Sequence, residues 1–97
     1  MATVVYSARS LTHIERAFHF LRNEDPGAAL DAVAAIQSAV DALAAHPLLG
    51  RRVAGELREL VISYGRTGYV ALYRFVVARD EVRILALRHQ RELGFVP

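Results

Sequence analysis

The stretch from Leu57 to His89 reads LRELVISYGRTGYVALYRFVVARDEVRILALRH and is rich in β-branched and aromatic residues, which are typical of strands. Gly65-Arg66-Thr67-Gly68 and Arg79-Asp80 interrupt it with residues that favour turns. Because short polar connections join strands that lie side by side in opposite directions, the pattern predicts a three-stranded antiparallel sheet. The predicted strands run from about Leu57 to Tyr64, Tyr69 to Val77 and Val82 to His89.

The residues before this stretch predict one more strand and two helices. Thr3 to Tyr6 is short and β-branched, and Ser7 after it offers a helix N-cap. In residues 8–23 apolar side chains recur every three or four positions, which predicts an amphipathic helix. Asp25-Pro26 ends that helix and begins a second one, because Asp is a good N-cap and Pro suits the first helical position. We expect the second helix to reach about His46 and to pack antiparallel to the first.

Length and composition indicate one folded domain over residues 1–97. Hydrophobic residues make up 54% of the 97 positions and charged residues 23%, which excludes a disordered chain. The predicted fold class is α+β: an N-terminal strand, an antiparallel helical hairpin and then a three-stranded antiparallel sheet, in the order β-α-α-β-β-β. The domain is small, so its stability is marginal and a partner that covers apolar surface would help it.

The charged residues and the missing residue types exclude several chemistries. All 12 basic residues are Arg, so a lysine nucleophile is excluded. The absence of cysteine excludes disulfides, a thiolate nucleophile and cysteine-ligated metals. We predict no cofactor and no metal. Residues 1–6 lack the pattern of a signal peptide, and no uninterrupted apolar run reaches the ~18 residues of a membrane span, so we expect a cytoplasmic protein without a membrane partner.

The last two predicted strands are apolar on both faces. An antiparallel sheet covered by helices on one face should alternate apolar and polar residues, and two short helices cannot cover both faces. Either the tail, residues 90–97, folds across the second face or a partner protein lies there. The two sets in the middle strand are Val70, Leu72 and Val76 against Ala71, Tyr73, Phe75 and Val77; in the last strand they are Val82, Ile84 and Ala86 against Leu85 and Leu87.

The four histidines differ in how well their predicted positions suit a functional role. His13 and His19 lie on the polar face of the first helix, six residues apart, so we expect them to be solvated rather than to share a metal. We expect His46 to lie at the end of the second helix and interact with its dipole. His89 ends the last strand within the polar cluster Arg88 to Glu92, where side chains can converge on a ligand.

Other catalytic motifs find little support. Ser63 is the one serine in a predicted strand, and no Gly-x-Ser-x-Gly elbow surrounds it. The glycine pair Gly65 and Gly68 joins two strands and opens no helix, so it does not form a phosphate-binding loop.

Basic residues on or just after the predicted strands are candidates for binding an anionic partner. They would form one cationic face if their side chains pointed the same way. Ion pairs with neighbouring acidic residues are an equally good interpretation. The candidates are Arg58, Arg74, Arg83, Arg88 and Arg91, with His89 beside them, and the acidic neighbours are Glu56, Glu59, Asp80 and Glu81.

The order of elements and four short strings resemble the ParE/RelE superfamily of bacterial type II toxin-antitoxin toxins. HPLLGR at residues 46–51 is similar to the HPxxGR element of that superfamily. RELV at 58–61, YVALYR at 69–74 and VRILALRHQRE at 82–92 resemble its successive strands. The resemblance covers nearly the whole chain. It implies a toxin made beside an antitoxin whose amphipathic C-terminal segment wraps it, and so supplies a partner for the two-sided apolar strands.

Two activities occur in the superfamily, and the resemblance implies one of them. RelE-like members cut messenger RNA on the ribosome with basic sheet residues and an Arg and often a Tyr near the C-terminus. Here Val70 stands near the position of a strand Arg, and Phe95 lacks the hydroxyl of a terminal Tyr. Of the residues that RelE-like members use, only the Arg near the C-terminus has a match here, in Arg91. His89 is the candidate for a general acid or base.

ParE-like members are similar to this chain in the HPxxGR and HQRE strings and are associated with inhibition of DNA gyrase. We therefore expect a ParE-like, non-enzymatic gyrase inhibitor neutralised by a cognate antitoxin. The alternatives are a RelE-like ribosome-dependent endoribonuclease and a protein-interaction module without toxicity, and direct binding to nucleic acid is left open.

Overall fold

Two helices pack on one face of a five-stranded sheet in the computed structural model, which describes residues 1–65 and 67–97. The sheet order is β1-β5-β4-β3-β2, in which β1 runs parallel to β5 and the other neighbours are antiparallel. The elements are β1 Thr3–Tyr6, α1 Ala8–Glu24, α2 Pro26–Asp41, β2 Arg51–Ala54, β3 Leu57–Tyr64, β4 Thr67–Val76 and β5 Glu81–His89, with short 3-10 turns at Ala42–Ala44 and Val77–Arg79.

The predicted helix starts are confirmed by their caps. The Ser7 hydroxyl accepts a hydrogen bond from the Ser10 N–H at 3.0 Å at the start of α1. The Asp25 carboxylate accepts from the N–H groups of Gly27 at 3.0 Å and Ala28 at 3.2 Å at the start of α2. The α-helix ends at Asp41, earlier than the predicted end near His46, and a 3-10 turn continues the helical segment to Ala44.

Replacing Asp25 by Ala should cost about 1 kcal/mol of the free energy of unfolding, the usual value of an Asp N-cap. The variant loses both hydrogen bonds to the first turn of α2. Urea unfolding measures the change. Asp31→Ala, an exposed Asp in the same helix but away from its cap, is the matched control and should change stability by less than about 0.5 kcal/mol. Equal losses in the two variants would contradict the capping role.

The three predicted antiparallel strands are confirmed as β3, β4 and β5, but they belong to a sheet of five strands. Residues 51–54, for which the sequence analysis predicts no strand, form the edge strand β2, with Arg51 opposite Glu59 and Arg52 opposite Arg58. All four β2 residues are exposed, so no alternation of apolar and polar residues marks the strand. The N-terminal strand joins the same sheet beside β5, with Thr3 opposite Glu81.

The strand β4 begins earlier than predicted. Thr67 and Gly68, predicted as turn residues, pair with Tyr64 and Ser63 of β3. The predicted turn residue Arg66 lies outside the described residues. β4 ends at Val76, and β5 begins at Glu81, one residue earlier than predicted.

A bulge in β5 changes which side chains share a face. Leu72 pairs with Ala86 but the next residue, Tyr73, pairs with Ile84, so Leu85 has no partner in β4. The prediction that Ala86 shares a face with Val82 and Ile84 is therefore wrong. Leu87, rather than Ala86, belongs to the core on the helix-covered face. It packs there with the fully buried β4 residues Ala71 and Tyr73 and with side chains of α2.

The second face of the sheet, which points away from the helices, is only partly covered. Val70 and Ala86 on this face are buried, whereas Val61 opposite Val70 is 62% exposed. The alternative in which the tail folds across this face is not what the structure contains, because Leu93 is fully exposed and Phe95 packs at one corner against Arg88. A partner on the second face stays a prediction.

The HPLLGR string corresponds to a loop that is tied to the sheet. The Tyr73 hydroxyl donates to the Pro47 carbonyl at 2.9 Å and accepts from the Gly50 N–H at 2.8 Å. The Arg58 guanidinium donates to the carbonyls of Gly50 at 2.8 Å and Leu48 at 3.3 Å. Burial raises the pKa of the Tyr73 phenol, and the Gly50 hydrogen bond and the Arg58 charge oppose this shift. The phenol is therefore neutral at pH 7.

Residues Pro26–Ala44 form a 19-residue helical segment whose mean hydropathy of 1.3 would suffice to cross a membrane by length and composition. Ala32, Ile36 and Val40 of this segment belong to the core cluster that includes residues of β3, β4 and β5. In this fold one side of the segment therefore packs in the core.

Candidate interaction site

A cavity of about 640 Å³ lies between α1 and the end of β5. It has the size of a ligand pocket. The cavity brings the predicted cluster at residues 88–92 together with α1, the start of β4 and the tail. Its lining residues are His13, Arg16, Ala17, Phe20, Tyr69, Leu87, Arg88, His89, Arg91, Glu92 and Val96.

The cavity exists because β1 is short. β1 ends at Tyr6 and Ser7 turns the chain into α1, so no strand within residues 1–65 and 67–97 lies on the outer side of β5 beyond Leu85. His13 takes that place: its Nδ1 accepts a hydrogen bond from the Leu87 N–H at 3.0 Å. An unpaired strand N–H in this position would cost free energy, and the imidazole satisfies it.

The prediction that His13 is solvated is wrong, since the side chain is 5% exposed. His19 is exposed as predicted and lies 3.8 Å from the Glu15 carboxylate. His46 is also exposed, but it follows the 3-10 turn rather than ending an α-helix.

Both ring nitrogens of His89 are engaged within the protein. Nδ1 accepts from the Arg91 N–H at 3.1 Å, and Nε2 lies 2.6 Å from the Thr67 hydroxyl. Because Nδ1 is an acceptor, the proton of the neutral ring is on Nε2, which donates to Thr67. The Tyr69 ring packs edge-on, 5.5 Å between centroids. This imidazole therefore fixes the turn after β5.

Arg88 and Arg9 hold the tail beside the cavity. Arg88 donates to the carbonyls of His89, Gln90 and Glu92, and its guanidinium lies 5.3 Å from the centre of the Phe95 ring. Arg9 donates to the carbonyl oxygens of residues 95 and 96. The guanidinium groups of Arg88 and Arg9 are thus already hydrogen-bonded to backbone carbonyl oxygens of the protein itself.

Arg16 and Arg91 are different, because their exposed guanidinium groups make no hydrogen bond or ion pair with any residue in 1–65 or 67–97. Both line the cavity. Tyr69, at its floor, carries a phenol whose pKa is raised by burial and by the neighbouring Tyr64, so it remains neutral at pH 7. The cavity therefore combines apolar walls with two available positive charges.

The remaining predicted cations lie elsewhere. Arg58 holds the loop at residues 48–50, on the side of the sheet that carries the helices. Arg74 and Arg83 are cross-strand neighbours on the second face, where they pair with Glu56 and Glu81. The six predicted residues therefore do not form one cationic face, and two of the proposed ion pairs are present. Binding of a partner by Arg58, Arg74 or Arg83 stays a prediction.

Arg16 and Phe20 are site residues that the sequence analysis missed. The three- and four-residue spacing of the apolar side chains in α1 leaves Arg16 on the polar face, and no local signal indicates that the end of β5 approaches that face. Within the described ranges 1–65 and 67–97, no three His, Asp or Glu side chains are close enough to hold a metal ion.

Comparison with known proteins gives a consistent family. The sequence model of the ParE toxin of the type II toxin-antitoxin system parDE matches residues 4–94. A solved chain from the chromosomal ParDE toxin-antitoxin system of P. aeruginosa superposes with a TM-score of 0.76 at 22% identity, covering 92% of this chain and 96% of that one, which shows a common fold.

Three relatives are named as toxins. Toxin RelE3 of Caulobacter vibrioides is 43% identical over 84 residues, covering 87% of this chain and 86% of the relative. Toxin RelE1 of the same organism is 34% identical over 74 residues, 76% of this chain and 80% of the relative. Putative toxin Y4kP of Sinorhizobium fredii is 36% identical over 89 residues, 90% of this chain and 86% of the relative.

Fold and relatives together define the toxin half of a type II toxin-antitoxin pair. The chain belongs to the ParE toxin family, within the ParE/RelE superfamily. Membership of this family implies an antitoxin partner.

Proposed function

We propose that this toxin inhibits DNA gyrase in the cytoplasm without cutting nucleic acid, and that its antitoxin neutralises it by direct binding. The match to the ParE family supports this activity, as do the HPLLGR and RHQRE strings. In this role the exposed Arg91 and the cavity beside it would contact the target.

The observation that carries the proposal is the state of His89. A general acid or base needs a nitrogen within hydrogen-bonding reach of the substrate. Both nitrogens of His89 are instead occupied, by Thr67 and by the Arg91 N–H. Protonation of Nδ1 would remove the acceptor of the Arg91 N–H, so proton transfer would disturb the turn. The arrangement suits a binding surface better than a catalytic centre.

A second candidate is supported by the names of relatives. Two of them, 43% and 34% identical to this chain, are called RelE. A RelE-like activity would be ribosome-dependent cleavage of messenger RNA, and Arg91 and His89 would carry it. That mechanism requires His89 to release one of its two internal hydrogen bonds.

Two assays on the same purified protein separate the candidates. We expect the parent protein to inhibit DNA supercoiling by gyrase and to leave messenger RNA intact in a reconstituted translation reaction. Arg91→Ala should weaken inhibition about tenfold, the effect of losing roughly 1.4 kcal/mol of binding. Arg79→Ala, an exposed arginine at the opposite end of β5, is the matched control and should change little.

Ribosome-dependent cleavage by the parent would overturn the proposal. In that case His89→Ala should lower the cleavage rate by roughly 10²–10⁴-fold, as expected for a lost general acid or base. If the folded parent is inactive in both assays, the interaction module without toxicity is the correct description.

A further inference from the structure

The turn at residues 89–92 carries Arg91, and hydrogen bonds fix its backbone. The Arg88 guanidinium donates to the carbonyls of residues 89, 90 and 92. Arg91 itself is joined to the turn through its backbone N–H, which donates to Nδ1 of His89 at 3.1 Å. The course of the backbone at Arg91, and with it the direction of the exposed side chain, therefore depends on where the imidazole points.

Two side chains of β4 contact the His89 ring, but only one of them selects its orientation. The Tyr69 ring packs edge-on against it, 5.5 Å between centroids. A half-turn of the imidazole about its bond to Cβ leaves the plane and the centre of the ring nearly unchanged, so this contact does not distinguish the two orientations. The Thr67 hydroxyl does, because it lies 2.6 Å from Nε2 and the half-turn would replace that nitrogen by carbon.

The same hydroxyl matches the proton on the ring. The Arg91 N–H can only donate, so Nδ1 must accept and the proton of the neutral imidazole is on Nε2. A hydroxyl oxygen accepts as readily as it donates, so Thr67 provides the partner that the Nε2 proton needs. Without the hydroxyl this orientation would leave a half-buried N–H unpaired, and it would lose its advantage over the other orientation and the other tautomer.

The sheet, rather than the turn itself, determines where this hydroxyl lies. Tyr69 is opposite His89, and Thr67 lies two residues before Tyr69 on the same face of β4. Thr67 is also paired with Tyr64 of β3. The hydroxyl is therefore fixed by β3 and β4 at the point where β5 ends and the turn begins.

We propose that Thr67 is a positioning residue for target binding. Its hydroxyl orients the His89 imidazole, the imidazole holds the Arg91 N–H, and Arg91 thereby presents its guanidinium to the target. A guanidinium binds its partner through hydrogen bonds of defined direction, so a shift of the backbone at Arg91 weakens the contact. This inference rests on the proposed function, in which Arg91 contacts gyrase.

The first experiment measures inhibition of DNA supercoiling by gyrase for variants at position 67. Thr67→Val keeps the shape of the side chain without the hydroxyl, and it should inhibit about fivefold less strongly, the effect of one lost hydrogen bond. Thr67→Ser keeps the hydroxyl and should stay within about twofold of the parent. Thr3→Val makes the same change as Thr67→Val at an exposed position of β1, and it should also stay within about twofold.

A double-mutant cycle separates positioning of Arg91 from a general structural role. If Thr67 acts through Arg91, Thr67→Val adds almost nothing to Arg91→Ala, and the double variant is about tenfold weaker than the parent. Independent effects would multiply to about 50-fold, which would contradict the proposal. Urea unfolding of the same variants reports their stability separately.

Nuclear magnetic resonance of the free toxin tests the local steps without gyrase. The nitrogen shifts of the His89 ring should show the proton on Nε2 in the parent and in Thr67→Ser, and a mixture of tautomers in Thr67→Val. The Arg91 amide should exchange with solvent at least about fivefold faster in Thr67→Val. The Leu87 amide is the matched control, since another imidazole, that of His13, accepts its hydrogen bond at 3.0 Å, and its exchange should not change.

The outcomes distinguish this inference from the proposed function. If the parent inhibits gyrase and Thr67→Val inhibits equally well, or if Thr67→Ser is as weak as Thr67→Val, the inference is wrong and the proposed function stands. The same holds if the His89 ring and the Arg91 amide are unchanged in Thr67→Val. If the folded parent does not inhibit gyrase, the proposed function fails, and the role of Thr67 in target binding fails with it.

Discussion

Replacing Gly50 by Ala should destabilise the fold by at least about 3 kcal/mol, a large part of the 5–15 kcal/mol that holds a domain together. An added Cβ would lie 2.6 Å from Cε1 of Tyr73 and 2.7 Å from the carbonyl oxygen of Glu59. Neither neighbour can move easily, because Tyr73 is fully buried and the carbonyl belongs to β3. Moving the loop away would break the hydrogen bond from the Gly50 N–H to the Tyr73 hydroxyl.

Urea unfolding of Gly50→Ala against the parent measures this loss. Gly94→Ala is the matched control, since no atom lies within 4 Å of its added Cβ. That control should stay within about 0.5 kcal/mol of the parent. If Gly50→Ala were as stable as Gly94→Ala, the loop at residues 47–50 could not be docked on Tyr73 as described.

Replacing Arg58 by Ala should lower the free energy of unfolding by about 2 kcal/mol, because it removes charged hydrogen bonds to two carbonyls. Arg52 is the exposed cross-strand neighbour of Arg58, and among the described residues its guanidinium donates to the Gly55 carbonyl alone, so Arg52→Ala should lose less than about 1 kcal/mol. The difference in free energy of unfolding between the two variants measures how much the hydrogen bonds from Arg58 to the HPLLGR loop stabilise the fold.

Calorimetric affinity for the antitoxin, measured on the same two variants, addresses the partner-binding role predicted from the sequence. If Arg58 acts only within the fold, the folded fraction of Arg58→Ala binds as tightly as the parent. A loss of affinity without any loss of stability would instead assign Arg58 to the interface and contradict the structural role.

Local signals were enough to predict where the two helices start. Ser7 and Asp25 mark the helix starts because a cap depends on residues only two or three positions away. β2 could not be found in this way, because an exposed edge strand carries no alternation. The bulge at Leu85 was also invisible, because it depends on the register of β4 against β5.

In the candidate site, too, features set by neighbouring residues were predictable and features set by distant parts of the chain were not. Arg88 and His89 are the last two residues of β5 and Arg91 follows shortly after it, so their convergence at the end of that strand was predictable. The burial of His13 was not, because the N–H that it satisfies belongs to Leu87, 74 positions along the chain. Arg16 and Phe20 were missed for a related reason. The three- and four-residue spacing of apolar side chains identifies the core face of α1, but it does not reveal that β5 lies beside another face of the same helix.

The pairing of the first strand with the last sets the moment at which the toxin can finish folding during its synthesis. Thr3 needs Glu81 as its neighbour, so the first strand has no partner while the ribosome is making the residues between them. At about 5–20 residues per second this takes roughly 4–16 s. The helical hairpin, joined by Asp25 alone, can form early, but the cavity cannot, because its β5 wall is made after both helices. A nascent chain therefore completes its arginine-lined surface only once β5 has been made and has paired with the first strand.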